Sequence, residues 1–216
     1  MQRIGYLVIT TSAMFVASIA SIIVRRLNKH NIPPGTIYIN ISSLTKTIAP
    51  GSIISRATIM IGFGTGMIVL FATLLFSLIG VWELLPSWSV IAIPKALVYI
   101  SYGLLWLYYC WGVLVIRYNV NYTPCYRSIA GRYYIATTGP YSIIKHPMYA
   151  AKAAFPLIMF CATGFLPFLI GLLSWTVLRY QARMEEDQLA ELGGNLYSSY
   201  RSKTGRFIPR ITKRKE

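Results

Sequence analysis

Long stretches without a charged residue dominate the chain. Four of them are long enough to be membrane helices, and they cover residues 4–24, 57–82, 96–116 and 153–178. A helix rises about 1.5 Å per residue, so roughly 20 apolar residues are needed to cross a hydrocarbon core of about 30 Å. The pattern therefore predicts an all-α integral membrane protein, with little sequence left over for a separate soluble domain.

The fourth run contains Gly164 and Pro167 near its middle. Because these residues interrupt helices, we expect two arms of about 14 to 15 residues each, or roughly 22 Å of helix, joined by a turn at 164–167. The four runs then become about five transmembrane helices. The last two form a short helical hairpin, whose open end is recessed below the membrane surface. A single kinked helix is the alternative.

The basic residues avoid the apolar runs. The 216 residues include 21 Lys and Arg against 6 Asp and Glu, and 19 of the 21 fall within 25–56, 117–152 and 179–216. Cytoplasmic loops of membrane proteins carry such an excess, so we expect the N-terminus outside or in a lumen and the C-terminus in the cytoplasm. That arrangement needs an odd number of passes. On a soluble domain the net charge of +15 would indicate nucleic-acid binding, but 55% of the residues are hydrophobic. Together the two observations indicate a multi-pass membrane protein and no nucleic-acid partner.

This organisation divides the chain near residue 116. Residues 1–116 are predicted to form three transmembrane helices with a basic cytoplasmic loop at 25–56, and residues 117–216 a loop, the hairpin, an acidic helix and a basic tail.

Arg25 and Arg26 directly follow the first run and favour a membrane helix over a cleaved signal peptide. The glycines within 62–66 indicate close helix packing. The three cysteines are far apart, which predicts neither a metal site nor a disulfide framework.

Candidate ligand-binding residues are concentrated at the start of the hairpin. A turn-forming stretch at 137–141 is followed by Lys145, His146, Pro147, Met148 and Tyr149. Proline suits the first turn of a helix, and the free amides that follow can meet a negatively charged or carbonyl-bearing ligand. The alternative is an ordinary interfacial loop, in which tyrosines and a lysine reach the headgroups.

Four of the six acidic residues fall shortly after the last apolar run, at Glu185, Glu186, Asp187 and Glu191. Two interpretations remain open. Arg183 can pair with Glu186 and Asp187 at helical spacing, which stabilises a surface helix by roughly a few tenths of a kcal/mol per pair. Alternatively, a helix that continues out of the membrane places Glu185 at the mouth of the hairpin, where its carboxylate can bind a ligand ammonium group.

Several segments of residues 133–209 share the order and spacing of a known signature. They are Thr-Thr-Gly-Pro-Tyr at 137–141, Lys-His-Pro-Met-Tyr at 145–149, Glu185 and Glu186 with Leu189, Gly194, Tyr197 and Tyr200, and Lys-Thr-Gly-Arg-Phe-Ile-Pro at 203–209. This set resembles the C-terminal signature of the isoprenylcysteine carboxyl methyltransferases, whose superfamily also contains phospholipid N-methyltransferases. The first 115 residues match only as generic membrane helices.

The resemblance implies an enzyme that takes S-adenosylmethionine from the cytosol and methylates a lipid-borne acceptor, such as the C-terminal carboxylate of a prenylated cysteine. A cytoplasmic C-terminal helix would complete the cofactor site. By position, the family's cofactor contacts fall on Tyr133, Tyr134, Ile135, Ala136, Tyr141, His146, Pro147, Met148, Tyr149 and Glu185. Aromatic and apolar side chains would hold the adenine, amides at the helix start the methionine carboxylate, and Glu185 the ammonium group.

The chain departs from the family pattern at two positions. Lys145 stands where an arginine usually precedes His-Pro, and Gln181 stands where the prenylcysteine enzymes have an arginine for the acceptor carboxylate. Arg179 and Arg183 lie two residues to either side, a rotation of about 200° along a helix, so neither is an equivalent replacement. Arg179, Gln181, Arg183 and Glu186 are therefore the candidate acceptor contacts, and a phospholipid amine is the alternative acceptor.

A non-enzymatic interpretation also exists for the basic C-terminal residues. They are Arg201, Lys203, Arg206, Arg210, Lys213, Arg214 and Lys215. Each basic residue near anionic lipid contributes up to about 1 kcal/mol to surface binding. On this interpretation the protein is a membrane protein whose tail binds anionic lipid.

Overall fold

The computed structural model describes residues 2–28, 32–40, 75, 86–120 and 132–210 of the chain. Outside them lie most of the predicted loop at 25–56, the second apolar run at 57–82 apart from Leu75, its glycines within 62–66, and the last residues of the basic tail. The described elements are α1 (Gln2–Asn28), β1 (Ile37–Asn40), a 3₁₀ helix (Ser87–Ser89), α2 (Lys95–Tyr118), β2 (Arg132–Ile135), α3 (Pro140–Ile143), α4 (Pro147–Thr163), a second 3₁₀ helix (Leu166–Leu173) and α5 (Ser174–Lys203).

The described structure is mostly helical, as the apolar runs predict. The first run lies in α1 and the third in α2. In the part of the chain that the structure describes, one helix, α2, is long and apolar enough to cross a membrane. Its charge-free stretch is bounded by Lys95 and Arg117.

Helix α2 packs against both α1 and α4. A buried amide joins the C-terminal ends of α1 and α2. The Asn28 Nδ2 donates to the Ile116 carbonyl at 2.7 Å, and its Oδ1 accepts from Arg117 Nη1 at 2.9 Å. The basic C-terminal ends of the two helices therefore lie on the same side of the protein.

The fourth run reverses direction at Gly164, so it is not a single kinked helix. Gly164 has a φ of 75°, which favours glycine, and its N–H donates to the Phe160 carbonyl at 2.7 Å. The returning arm packs onto α4 and α2, because Phe168 lies in one buried cluster with Met159 and Leu105. The predicted turn is confirmed, but the second arm begins as a 3₁₀ helix over Leu166–Leu173 and becomes α-helical only at Ser174.

A two-stranded antiparallel sheet adds to the helical architecture, and the apolar runs do not predict it. Strand β1 pairs with β2 so that Ile39 lies opposite Tyr133 and Ile37 opposite Ile135. Residues alternate between the two faces of a strand. Ile39 and Ile135 pack on Tyr197 of α5, which fixes the sheet against the last helix.

Helix α5 passes without interruption through the acidic residues and then breaks at Gly194, after which a second helical piece turns back so that Arg201 contacts Glu186 and Asp187. Gly194 has a φ of 54° inside the helix, a conformation that side chains with a Cβ disfavour. After α5 the chain returns to the start of α4, where Ile144 and Gly205 form a parallel bridge. The hairpin start, the acidic residues and the C-terminal segment therefore meet in one place.

Candidate functional site

The residues before α4 are held by the segment that follows α5. The amides of Lys145 and His146 donate to the carbonyls of Gly205 and Arg206 at 2.8 and 3.1 Å. Pro147 then occupies the first turn of α4, where its missing N–H costs nothing. These two hydrogen bonds place His146 beside residues that are about 60 positions away in the sequence.

Aromatic rings cover one side of this junction. The imidazole of His146 stacks on the ring of Tyr149, with centroids 5.3 Å apart and an interplanar angle of 8°. Phe207 lies 5.9 Å from His146 and 4.7 Å from Trp175. The group offers flat apolar faces that suit a planar ring.

The Glu185 carboxylate faces the same junction from α5. The Tyr149 hydroxyl donates to its Oε1 at 2.5 Å and the Gln181 amide donates to the same oxygen at 3.1 Å. The second oxygen lies 3.7 Å from His146 Nδ1. The Glu185 side chain is 26% exposed, so this carboxylate is oriented by protein donors and still accessible to a ligand cation.

The neighbouring carboxylate, Glu186, has a different environment. Its side chain is 0% exposed, and Arg206 binds it through Nε at 2.7 Å and Nη2 at 3.0 Å. Lys145 Nζ lies 3.0 Å, Arg201 Nε 3.2 Å and His146 Nε2 3.3 Å from its oxygens. Burial by itself raises the pKa of Glu186, but the contacts from His146, Arg206 and Lys145 outweigh it and hold that pKa well below its usual value.

One of the two interpretations of the acidic residues is wrong. Arg183 is exposed and does not pair with Glu186 or Asp187; Glu186 points into the protein, and Asp187 is bound by Arg201 at 2.8 Å. The predicted acceptor contact at Glu186 stays untested; in the structure its side chain is 0% exposed and its oxygens bind cations. Its place in the structure is that of a positioning residue between the hairpin start and the C-terminal segment.

Gln181 and its two arginine neighbours lie on different faces of α5. Gln181 is 2% exposed and donates to Glu185, whereas Arg179 and Arg183 are exposed. The structure therefore brings Gln181 to the junction but neither arginine. This separation agrees with the rotation of about 200° between positions two residues apart in a helix.

The other predicted cofactor contacts lie in two places: on strand β2 and its neighbours, or against helix α2. Tyr133 packs against the cluster of Ile39, Ile135 and Tyr197, where burial raises the pKa of its hydroxyl and the Glu185 charge raises it further. Tyr134 lies on the opposite face of β2, with its ring 5.4 Å from that of Tyr38. Ile135 is buried against α5. Ala136, Tyr141 and Met148 pack around Val115 of α2, and Pro147 accepts from Trp111 Nε1 at 3.2 Å.

Four residues of the junction were given no role at the cofactor site from the sequence. Arg201 and Arg206 bind Glu186, and Trp175 and Phe207 complete the aromatic group. Arg206 and Phe207 lie inside the segment 203–209 that carries the resemblance, so their presence in that segment was the available signal. Nothing in the local sequence singles out Trp175.

No protein-family model matches the chain, and no curated protein is significantly similar to it. The resemblance to methyltransferases therefore depends on the segments quoted above.

Proposed function

We propose that this protein is a methyltransferase that uses S-adenosylmethionine and acts on a membrane-borne acceptor, the C-terminal carboxylate of a prenylated cysteine. The observation that carries the proposal is the environment of Glu185. Its carboxylate is partly exposed, and it is held by Tyr149 from the His-Pro segment at the start of α4. An accessible anion beside stacked aromatic rings suits a ligand that combines an ammonium group with a planar base.

The residues present fit this cofactor. Glu185 would bind the ammonium group, and Tyr149 and Gln181 keep that carboxylate in place by donating to one of its oxygens. The half-buried Phe207 offers a ring face for the base, and His146, which is 9% exposed and stacks on Tyr149, supports that ring from the protein side. The positive end of the α4 dipole favours a carboxylate at the helix start. When bound, the cofactor supplies a methyl group on a positively charged sulfur, which is already activated for transfer.

The protein then contributes orientation and enclosure. An acceptor carboxylate is ionised and nucleophilic at neutral pH, so no general base is required. Holding the acceptor in line with the methyl group, and excluding water from its oxygen, account for the acceleration in this scheme. Glu186 supports the geometry through Lys145, His146 and Arg206 rather than by contact with a substrate.

A phospholipid amine is the second candidate acceptor, and the position of Gln181 favours it. Gln181 is buried on Glu185 while Arg179 and Arg183 face outward, so these residues of α5 offer no cation for an acceptor carboxylate. An amine must lose a proton before it attacks, so its methylation rate rises with pH. Methylation of a carboxylate is nearly independent of pH above about pH 6.

The proposal includes five transmembrane helices, with the N-terminus outside or lumenal and the C-terminus cytoplasmic. Support comes from α2, which is long enough to span, and from Asn28. Its hydrogen bonds bring the C-terminal ends of α1 and α2 together. Arg25, Arg26 and Arg117 therefore lie on one side, as the positive-inside rule expects of cytoplasmic residues.

Cofactor binding to the purified full-length protein in detergent tests the site. Titration calorimetry with S-adenosylmethionine should give a dissociation constant that rises at least about tenfold in Glu185→Gln, because a charge-assisted hydrogen bond is lost. Tyr149→Phe should weaken binding less, since it only releases the carboxylate. Glu191→Gln, an exposed glutamate on the same helix, is the control. Unchanged affinity in both site variants would contradict the assignment.

Methyl transfer identifies the acceptor. The protein is incubated with S-adenosylmethionine labelled in the methyl group, with a farnesylated cysteine in one reaction and total lipid in the other. Alkali-labile, volatile label from the first reaction indicates a methyl ester. Alkali-stable label in the lipid fraction indicates an amine and supports the second candidate. Absence of transfer to both acceptors would count against both candidates.

A further inference from the structure

A basic cleft opens where the last turn of α5 and the segment after it meet the residue that precedes His146. Its volume is about 520 Å³, and four of its lining residues are cations: Lys145, Arg201, Arg206 and Arg210. Lys145 comes from the hairpin start, so the cleft is a folded feature and not a part of the basic tail alone.

The cations outnumber the carboxylates that contact them. Lys145, Arg201 and Arg206 all share the buried Glu186. Arg201 also binds Asp187, which is 57% exposed. Arg210 donates through Nη1 to the uncharged carbonyl of Ser202. Among the residues that the structure describes, four positive charges therefore meet two negative charges, which leaves an excess of two.

The hydrogen-bond inventory shows the same imbalance. A guanidinium has five N–H donors and an ammonium three, so the four cations hold about 18 donors against about eight lone-pair sites on the two carboxylates. The crowding is also electrostatic. Burial lowers the pKa of Lys145 and Glu186 raises it, but with the charges of Arg206 and Arg201 also lowering it, that pKa stays below its usual value. A further anion in the cleft would reduce this repulsion and accept the remaining donors.

We propose that this cleft binds a phosphate group through Arg201, Arg206, Arg210 and Lys145. A phosphate dianion matches the excess of two positive charges, and the planar arginine fork suits its oxygens. Ile208 lines the same cleft and is 77% exposed, so a lipid headgroup can enter with apolar surface beside it. The phosphate can come from a lipid headgroup or from a soluble phosphate, and the chemistry of the cleft is the same for both.

The proposal does not depend on methyltransferase activity, because it uses none of the residues assigned to the cofactor. The test is calorimetric binding of two probes to the full-length protein in non-ionic detergent at constant ionic strength. The probes are monomeric dihexanoyl phosphatidic acid and inorganic phosphate. Binding of the lipid alone identifies a headgroup site, and equal binding of both identifies a phosphate site without lipid selectivity. Failure of both probes to bind would overturn the proposal.

Three variants distinguish phosphate binding in the cleft from general attraction to surface charge. Arg201→Gln and Arg210→Gln should each weaken binding about tenfold. Lys203→Gln removes the same charge from an exposed position in the last turn of α5, outside the cleft lining, and should change affinity less than about twofold. Arg210 does not contact Glu186, so its variant tests the cleft even if Arg201→Gln unfolds. Equal weakening by Lys203→Gln and Arg210→Gln would overturn the proposal. Cofactor affinity, measured in parallel on Arg210→Gln, should not change.

Discussion

Glu185 and Glu186 are adjacent in sequence and have opposite environments. Successive residues of a helix point about 100° apart, so one carboxylate faces the accessible junction while the other points inward. Glu185 accepts from neutral donors, the Tyr149 hydroxyl and the Gln181 amide. Glu186 is surrounded by cations. The first is therefore suited to bind a ligand, and the second to hold the structure.

Replacing the buried carboxylate should be costly. In Glu186→Gln the charges of Lys145 and Arg206 lose their common partner in a buried setting, which destabilises proteins by about 3–5 kcal/mol. Asp187→Asn is the matched control, because Asp187 is largely exposed and its pair with Arg201 is worth about 0–1 kcal/mol. Thermal unfolding in detergent, followed by tryptophan fluorescence, measures both. Equal unfolding temperatures for the two variants would contradict a structural role for Glu186.

The same carboxylate predicts a dependence of stability on pH. The pKa of Glu186 is lower in the folded than in the unfolded protein, so its contribution is complete above the unfolded value of about 4.3 and is lost as the pH falls below it. The unfolding temperatures of wild type and Glu186→Gln should therefore converge as the pH is lowered from 5 to 3. A gap that stays constant over this range would show that the carboxylate is not the source of the difference.

At the scale of elements, the hairpin depends on one close approach. The carbonyl of Gly164 accepts from the Ile91 amide at 2.8 Å, and a Cβ at residue 164 would lie 2.0 Å from the Ile91 carbonyl oxygen. The segment before α2 and the turn after α4 are therefore in direct backbone contact. Only glycine combines the positive φ with this contact.

Gly164→Ala should destabilise the protein by roughly 2–4 kcal/mol, from the strained φ and from displacement of the Ile91 backbone. Gly103→Ala is the control, since within the described residues a Cβ there would meet nothing within 4 Å outside its own helix backbone, and the residue is inside α2. Alanine is favoured over glycine in a helix by about 0.5–1 kcal/mol. Unfolding temperatures should therefore fall in the first variant and stay equal or rise in the second. An equally small change of unfolding temperature in both variants would contradict the close backbone contact at Gly164.

At the scale of the whole molecule, residues 204–210, which follow α5, connect the last two helices. Its backbone pairs with Lys145 and His146, Arg206 binds Glu186 and Phe207 packs on Trp175. The end of the chain thereby joins α4 to α5 on the side where the helices carry their polar residues. The predicted topology places this whole junction in the cytoplasm.

The topology is testable with terminal reporters. A reporter that is active only outside the cytoplasm should be active when fused before Met1 and inactive when fused after Glu216, because the proposed five passes would place the termini on opposite sides. A cytoplasm-specific fluorescent reporter at the same two positions is the control and should give the reverse result. Termini on the same side would contradict an odd number of passes.

The sequence determined the features that depend on neighbours within a few turns of helix. Charge-free runs of sufficient length predicted α1 and α2, and Gly164 predicted the turn, because helix formation and chain reversal respond to local propensity and backbone freedom. The resemblance pointed to His146, Tyr149 and Glu185, which the structure brings together. The second run lies outside the described residues, so its helix stays a prediction.

Only the tertiary structure decided the partners of Glu186 and the pairing of β1 with β2. Arg206 is 20 residues from Glu186 and Lys145 is 41 residues away, while Ile37 and Ile135 meet from distant parts of the chain. The local pattern offered Arg183 as one possible partner because it lies one turn away. Glu186 instead points toward the interior, where its carboxylate binds the cations that chain reversal brings to it, and such reversals depend on how whole helices pack.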